Sequence, residues 1–436
     1  MSIGRPAAAH LLRRAAYGGT VNQIRDFSRL TREEAVDQLL DTSSTPAVPG
    51  WGRFSNLQNW QAQEAMIEWW VDRMITAPPS IEEKLTFFWH DHFATGRDKV
   101  GESELMWEQH VLLRNMGQGS FRQLLEGVSL GSAMLIYLDN ETNVAGAEQE
   151  NFARELMELH TVGNGRFTED DVIAMARAWT GHNTVGRTRE NNWQYDPSYI
   201  FRTLEHDHGP KTLFGITKRW NALQTLDELC YGVKATATSD YIARKMFQFF
   251  VHANPDQATV DTLAANWRAN NLNILSLVRE VLLLDEFWAE STHYALVKTP
   301  VEFMVDVLRR CGMTSSDDSV RWRMEQMGMV LFDPPTVAGW GRNSYWLSTA
   351  TAWGKSRWIN GLKWGSDDRN ILQNLEGMPI EDAVNEVVGF FGIYGASTKS
   401  RDQIRELIEI TTEERPWALK YEPFAVGMFM PEVQCA

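Results

Sequence analysis

Apolar residues recur three and four positions apart through most of this chain, the period of a helix with one buried face. The pattern predicts helices at about Thr31–Leu40, Trp60–Ile75, Phe121–Ser129, Ser239–His252, Gln257–Asn270, Ile274–Leu283, Pro300–Arg310 and Ser319–Met327. Ser80 with Glu83, just after Pro78-Pro79, reads as a capping box opening a helix through Phe93, with Leu85, Phe88, Trp89 and His92 on one face. Thr168 with Asp171 opens another, carrying Val172, Ile173, Ala176 and Trp179. Strand-like alternation is scarce, and its best example, Gln194–Thr203, is short. Loops concentrate at Asp41–Phe54, Asp139–Ala147, Thr180–Lys218 and Phe332–Ser348. The third is long for a structureless connection, and its aromatic residues Trp193, Tyr195, Tyr199 and Phe201 predict that it is ordered and packed. The expected fold is therefore mainly α, a large single helical body with long ordered loops and little or no sheet. Residues 1–370 would form the core domain and 371–436 a helical appendage packed on it, because the Trp-rich stretch before that boundary reads as the end of a core.

The apolar pattern is interrupted most sharply between Asn151 and His182. Phe152, Leu156 and Leu159 form one helical stripe, and Glu155 sits on or beside it, three residues after Phe152 and four before Leu159. Glu158 falls on the side shared with Asn151, and His160 follows Leu156 by four at the apolar edge. A carboxylate near a buried stripe needs a partner, a proton or a metal. The structural alternative is that Glu150 and Glu158 pair with Arg154 while Glu155 meets an arginine elsewhere.

Histidines cluster at two places, His90-Asp91-His92 and His206-Asp207-His208. On a helix alternate residues point to opposite sides, so His90 and His92 do not chelate one metal together, and the apolar face favours His92 as a single ligand or a core histidine. In the long loop, Asp207 could orient an imidazole and Lys211 could hold a developing negative charge, or all of them could form a salt-bridged turn set by Gly209 and Pro210. Asp139-Asn140 reads as a cap or turn.

Composition narrows the classes. With 436 residues, 43% hydrophobic and 23% charged, the chain is long enough for a large core and ordinary for a globular protein. The net charge of −15 argues against nucleic-acid partners and anionic membrane surfaces. Cys230, Cys311 and Cys435 are widely spaced and odd in number, which fits a reducing compartment and no disulfide framework. No apolar run reaches the length of a membrane span, and Arg13-Arg14 has no signal-peptide core behind it, so a cytoplasmic location is expected. Eighteen tryptophans are the outlier; most are expected in the core, a minority as platforms in a ligand groove. Walker, GxSxG, HExxH and EF-hand patterns are absent, so no nucleotide cofactor is indicated.

Taken in order, HLLRRAAYG at His10–Gly18, FWHDHFAT at Phe88–Thr95, YLDN at Tyr137–Asn140, ENFARELMELHTVG at Glu150–Gly163, the TEDDV and ARAWTG that follow, HDHGPKTLFG at His206–Gly215, KTPVEF at Lys298–Phe303 and PPTVAGW at Pro334–Trp340 resemble the bacterial family known as domain of unknown function 1800. The resemblance implies a mainly helical fold and supplies no reaction. Two departures stand out: family members are often exported whereas this chain starts at the first motif, and His182 stands where a tryptophan is common.

The leading expectation is an enzyme with a His/carboxylate site where the three motif regions meet. His92, Glu155, His160 and His206 are the candidate ligands of a divalent Fe, Mn or Zn, with Glu158 or Asp207 as base or orienter and Lys211 as charge stabiliser. One alternative is a metal-free acid–base enzyme acting on a glycan or other small polar substrate through Glu155 with Glu158 or Asp139. The other is a non-catalytic binding or scaffold protein whose motifs are buried ion pairs.

Overall fold

The computed structural model describes residues 1–43, 45–187, 195–317, 319–365 and 375–436. It is mainly α, with two small two-stranded antiparallel sheets among the described residues. Local chemistry explains most boundaries. Thr31 caps the Arg32–Leu40 helix through a reciprocal box with Glu34, and Thr168 does the same with Asp171. The Pro300–Cys311 helix has Thr299 as cap, Pro300 at its first position and left-handed Gly312 at its end. The helices at Phe121–Leu130, Gln257–Ala269 and Ile274–Leu283 lie where the apolar period put them.

Three local expectations are corrected. The Ser80 box does not form: the helix runs Glu82–His92 behind Ile81, the Ser80 hydroxyl is buried without a partner, and Glu83 is taken by two arginines. The Asn151 helix spans Glu150–Glu158 and stops before His160, whose N–H reaches back to the Glu155 carbonyl at 3.1 Å. The long loop holds two hairpins. His182–Arg187 pairs with Tyr195–Phe201, and Lys211–Leu213 with Ile216–Lys218 through a turn in which Phe214 and Gly215 both have positive φ. Lys211 therefore opens a strand. Residues 188–194, with Trp193 and Gln194, lie outside the described residues, as does the expected domain boundary at 370/371.

Two apolar clusters make the core. One runs from the N-terminal helix, Gly4–Ala16, to Trp288; the other joins Tyr17, the Asn59–Thr76 helix, the Pro300–Cys311 helix and the C-terminal helices around Val384, Phe391 and Phe424. The Glu82–His92 helix lies between them, giving Leu85, Phe88 and Trp89 to the first cluster and Phe87 to the second. All eleven of its residues are buried, the six charged or imidazole-bearing ones included. A helix buried on every side must satisfy each polar group internally. That requirement places the site. Among the described residues no helix is long and apolar enough to cross a membrane.

Candidate functional site

The polar side chains of the central Glu82–His92 helix reach different parts of the chain. At its start Glu83 takes both guanidinium nitrogens of Arg114 at 2.6 and 2.7 Å, Arg73 Nε at 3.0 Å and the Trp70 indole N–H at 3.0 Å. Burial pushes its carboxyl up, yet the two arginines outweigh that and hold it below the ordinary value. At the next position Lys84 is paired with Glu302, the same carboxylate that accepts the Thr299 N–H at 2.9 Å as a helix-capping group. His90 Nε2 accepts the Phe332 N–H at 3.1 Å. Asp91 accepts the Trp340 N–H at 2.8 Å and both Nε and Nη2 of Arg342, at 3.0 and 2.5 Å. Gly339 permits that approach, since it holds φ +82° and a Cβ there would collide with Asp91.

His92 ends the helix. Its Nε2 lies 3.1 Å from the His160 carbonyl, which can only accept, so the ring carries its proton on Nε2 and offers the Nδ1 lone pair to Lys245 Nζ at 2.8 Å. Lys245 belongs to the Ala235–Phe250 helix, where it follows Arg244 between the apolar pairs Ile242-Ala243 and Met246-Phe247. Burial, with the Arg342 charge beside it, pushes Lys245 down to about 7, with Asp91 opposing. Burial and then Lys245 push His160 down to about 3, and the same causes in the same order hold His92 well below its ordinary value. The His160 ring centroid is 6.0 Å from that of His92, and its Nε2 is buried with no partner. Burial, with a smaller push from Glu158 and against Arg342, raises the Tyr241 hydroxyl, which sits on the same helix as Lys245.

Beside this cluster is a cavity of about 310 Å³. Arg14, Lys84, Glu302, Asp91, Arg342 and Asn343 are its main polar groups, and Phe87, Phe249, Met329 and Trp340 its apolar walls. Lys245 and His92 do not line it themselves, but Gln248 and Phe249, one turn beyond Lys245, do. An apolar pocket with a few convergent polar groups is the usual form of a small-molecule site, and this volume is at the lower end of that class.

The other expected residues have partners of their own. Glu155 is partly buried without a side-chain arginine bond, and burial, then Glu158, raise its carboxyl against Arg154. Arg154 pairs with Glu169 at 2.6 Å and Glu150 at 3.4 Å, which corrects the expected Glu158 partnership. His206 Nδ1 lies 2.9 Å from the Thr180 carbonyl. Asp207 accepts Arg177 Nε and the Gly209 N–H, each at 2.6 Å. Burial pushes Asp207 up, but these donors and Lys211 outweigh it. Lys211 gives its three donors to the carbonyls of Asp207, Gly209 and Trp220. The loop motif is thus a closed, salt-bridged turn. Asp139 is surface-paired with Lys99 at 2.8 Å.

His92 and His160 are therefore brought together, whereas no hydrogen bond or ring contact joins His206 to them. Both ring nitrogens of His92 are engaged, and among the described residues no group of three or more His, Cys, Asp or Glu is placed to hold a metal ion. The donors do not fit a shared metal. Arg14, Lys84 and Lys245 each follow another charged residue, Glu302 stands three after Thr299 as in a capping box, and Arg342 lies in the Phe332–Ser348 loop, so none of them stood out as a site residue. The available signal was that Arg244 and Lys245 break the apolar run from Tyr241 to Val251.

Comparison with known proteins agrees with the motifs. The family model described as a protein of unknown function, DUF1800, matches residues 10–434. No curated protein and no solved structure matches the chain.

Proposed function

We propose that this chain, which belongs to the DUF1800 family, is a metal-independent acid–base enzyme acting on a small polar molecule held in the Trp340 cavity. The observation that carries the reading is the Lys245–His92 contact, which lies behind the cavity wall, next to the lining residues Asp91 and Arg342 and one helical turn from Gln248 and Phe249. An amine with a pKa near 7 is free of its proton for part of the population at neutral pH, which is what a general base requires. His92, fixed as the Nε2–H tautomer by the His160 carbonyl, orients the Lys245 Nζ, and the Arg342 guanidinium, which lines the cavity, stabilises charge developing on the substrate. The apolar walls exclude water and strengthen those charges.

The test needs no substrate. Reductive ¹³C-methylation followed by NMR titration reports each lysine, and Lys245, assigned by its loss in Lys245→Met, is expected to titrate about three units below the ordinary value of about 10.4. A value within one unit of ordinary removes the base and with it this reading. A scaffold role is favoured by one observation, the fully engaged Glu83 network joining three helices. It predicts an ordinary Lys245 and no turnover of any small acid or phosphate ester.

A further inference from the structure

The N-terminal helix places Arg13 and Arg14 inside the protein, and neither is neutralised in the usual way. Arg14 is 1% exposed; its Nη2 donates to the Thr292 carbonyl at 2.7 Å, while Nε and Nη1 are buried with no partner. Arg13 gives Nη1 to the Gly392 carbonyl, lies 4.4 Å over the Tyr294 ring and leaves Nε without a partner. Around them the charges do not balance. Arg13, Arg14, Lys84, Lys298, Arg310 and Lys355 are six cations; Glu302, held by Lys84, and Asp306, shared by Lys298 and Arg310, are the two carboxylate side chains among them, and the last residue, Ala436, is buried at the same cavity. Lys355 has a neutral partner, the Gln434 amide oxygen at 2.8 Å. Glu432, the next carboxylate outward, is occupied by Ser397 and Ser400.

A buried excess of positive charge is unfavourable unless something negative completes it. In a chain of net charge −15 it is not a by-product of general basicity. Two of these cations line the cavity, Arg14, which has no carboxylate partner, and Lys84, which is paired with Glu302. We infer that the cavity binds a small organic molecule through an oxyanion group, carboxylate or phosphate, seated against Arg14. This rests on the acid–base reading of the same cavity and names its substrate class: a metabolite-sized anion in place of a glycan chain. The anionic end lies toward Arg14 and Lys84, and the remainder of the molecule toward Asp91, Arg342 and the Lys245–His92 pair.

Titration calorimetry on the full chain, at matched ionic strength in sodium chloride, tests this with succinate in one arm, glycerol 3-phosphate in the second and glycerol as the neutral control. The expected result is saturable binding in one anionic arm, none with glycerol, and a loss of affinity of about tenfold or more in Arg14→Gln. The arm that binds tells carboxylate from phosphate. Because Arg14→Gln alters a buried residue, Ser344→Glu at the exposed rim of the cavity is the second variant: it adds a repelling charge without touching the core and weakens the same arm, while Ser344→Gln does not. Absence of binding in both anionic arms, equal binding of glycerol, or unchanged affinity in folded Arg14→Gln or in Ser344→Glu overturns the inference. Binding requires no turnover, so the two readings fail separately. An ordinary Lys245 with intact anion binding removes the base and leaves the site; a shifted Lys245 with no anion binding does the reverse.

Discussion

The sequence His-Asp-His occurs twice, and the two copies behave differently. At residues 90–92 it lies on a helix that is buried all round, and its three side chains leave in different directions, to the Phe332 N–H, to Trp340 and Arg342, and to His160 and Lys245. At 206–208 it lies on a turn, and its partners are near at hand: Thr180, Arg177, Gly209, Lys211 and Thr203. The first copy joins remote segments and leaves a titratable pair beside a cavity. The second closes on itself. Residue type alone therefore does not make a site; what matters is whether the backbone forces the side chains to find distant partners.

The largest expected effect separates the two aspartates. Asp91→Ala leaves the Trp340 N–H and the Arg342 donors without a partner, and is expected to reduce unfolding free energy by about 2–3 kcal/mol, a little under the range for a buried pair because Arg342 is one-third exposed. Asp207→Ala leaves Arg177 free to turn to water, for a loss of about 1 kcal/mol. Equal losses in urea denaturation would dissolve the contrast between bridging and self-contained motifs.

A smaller effect concerns pH. His160 and His90 have folded-state values of about 3 and about 4, both below the ordinary 6.5, so between those values the unfolded chain holds more protons and stability rises with pH. Stability is expected to be complete above about 6.5 and to fall progressively toward pH 4, and the slope should shrink in His160→Gln. A flat profile over that interval would show that water reaches these rings. Smallest of all is the response to chelation: dialysis against EDTA should leave the thermal midpoint unchanged. A drop restored by zinc or manganese would mean that His206 is drawn to His92 and His160 in solution, and would restore the metal-dependent reading.

How much of this was legible depends on the range of the cause. Periodicity and caps are local, so Thr31, Thr168 and the apolar stripes located their helices, and the motif order identified the family. The Ser80 box failed because Glu83, locally a capping residue, is outcompeted by Arg73 and Arg114 from two other helices. Glu155 and His160 were correctly singled out as polar residues near a buried stripe, but the helix ends at Glu158 and turns only the histidine inward. Of the His182–Phe201 hairpin the second strand was legible as the short alternation at Gln194–Thr203, whereas its partner at His182–Arg187 read as loop because the pairing joins segments separated in sequence. The cavity was the least legible feature: Arg14, Lys84, Asp91, Glu302 and Arg342 converge from segments up to hundreds of residues apart, and Arg13-Arg14 read only as part of a helix.

The burial of the Glu82–His92 helix on every side bears on how the molecule opens. Its amides have no route to solvent through a fraying end, since its first turn is held by Arg73 and Arg114 and its last by Lys245 and Arg342. Deuterium should enter these amides at the rate of whole-molecule unfolding, later than anywhere on the surface hairpins. The same helix that shapes the cavity thereby ties the lifetime of the cavity to that of the entire fold.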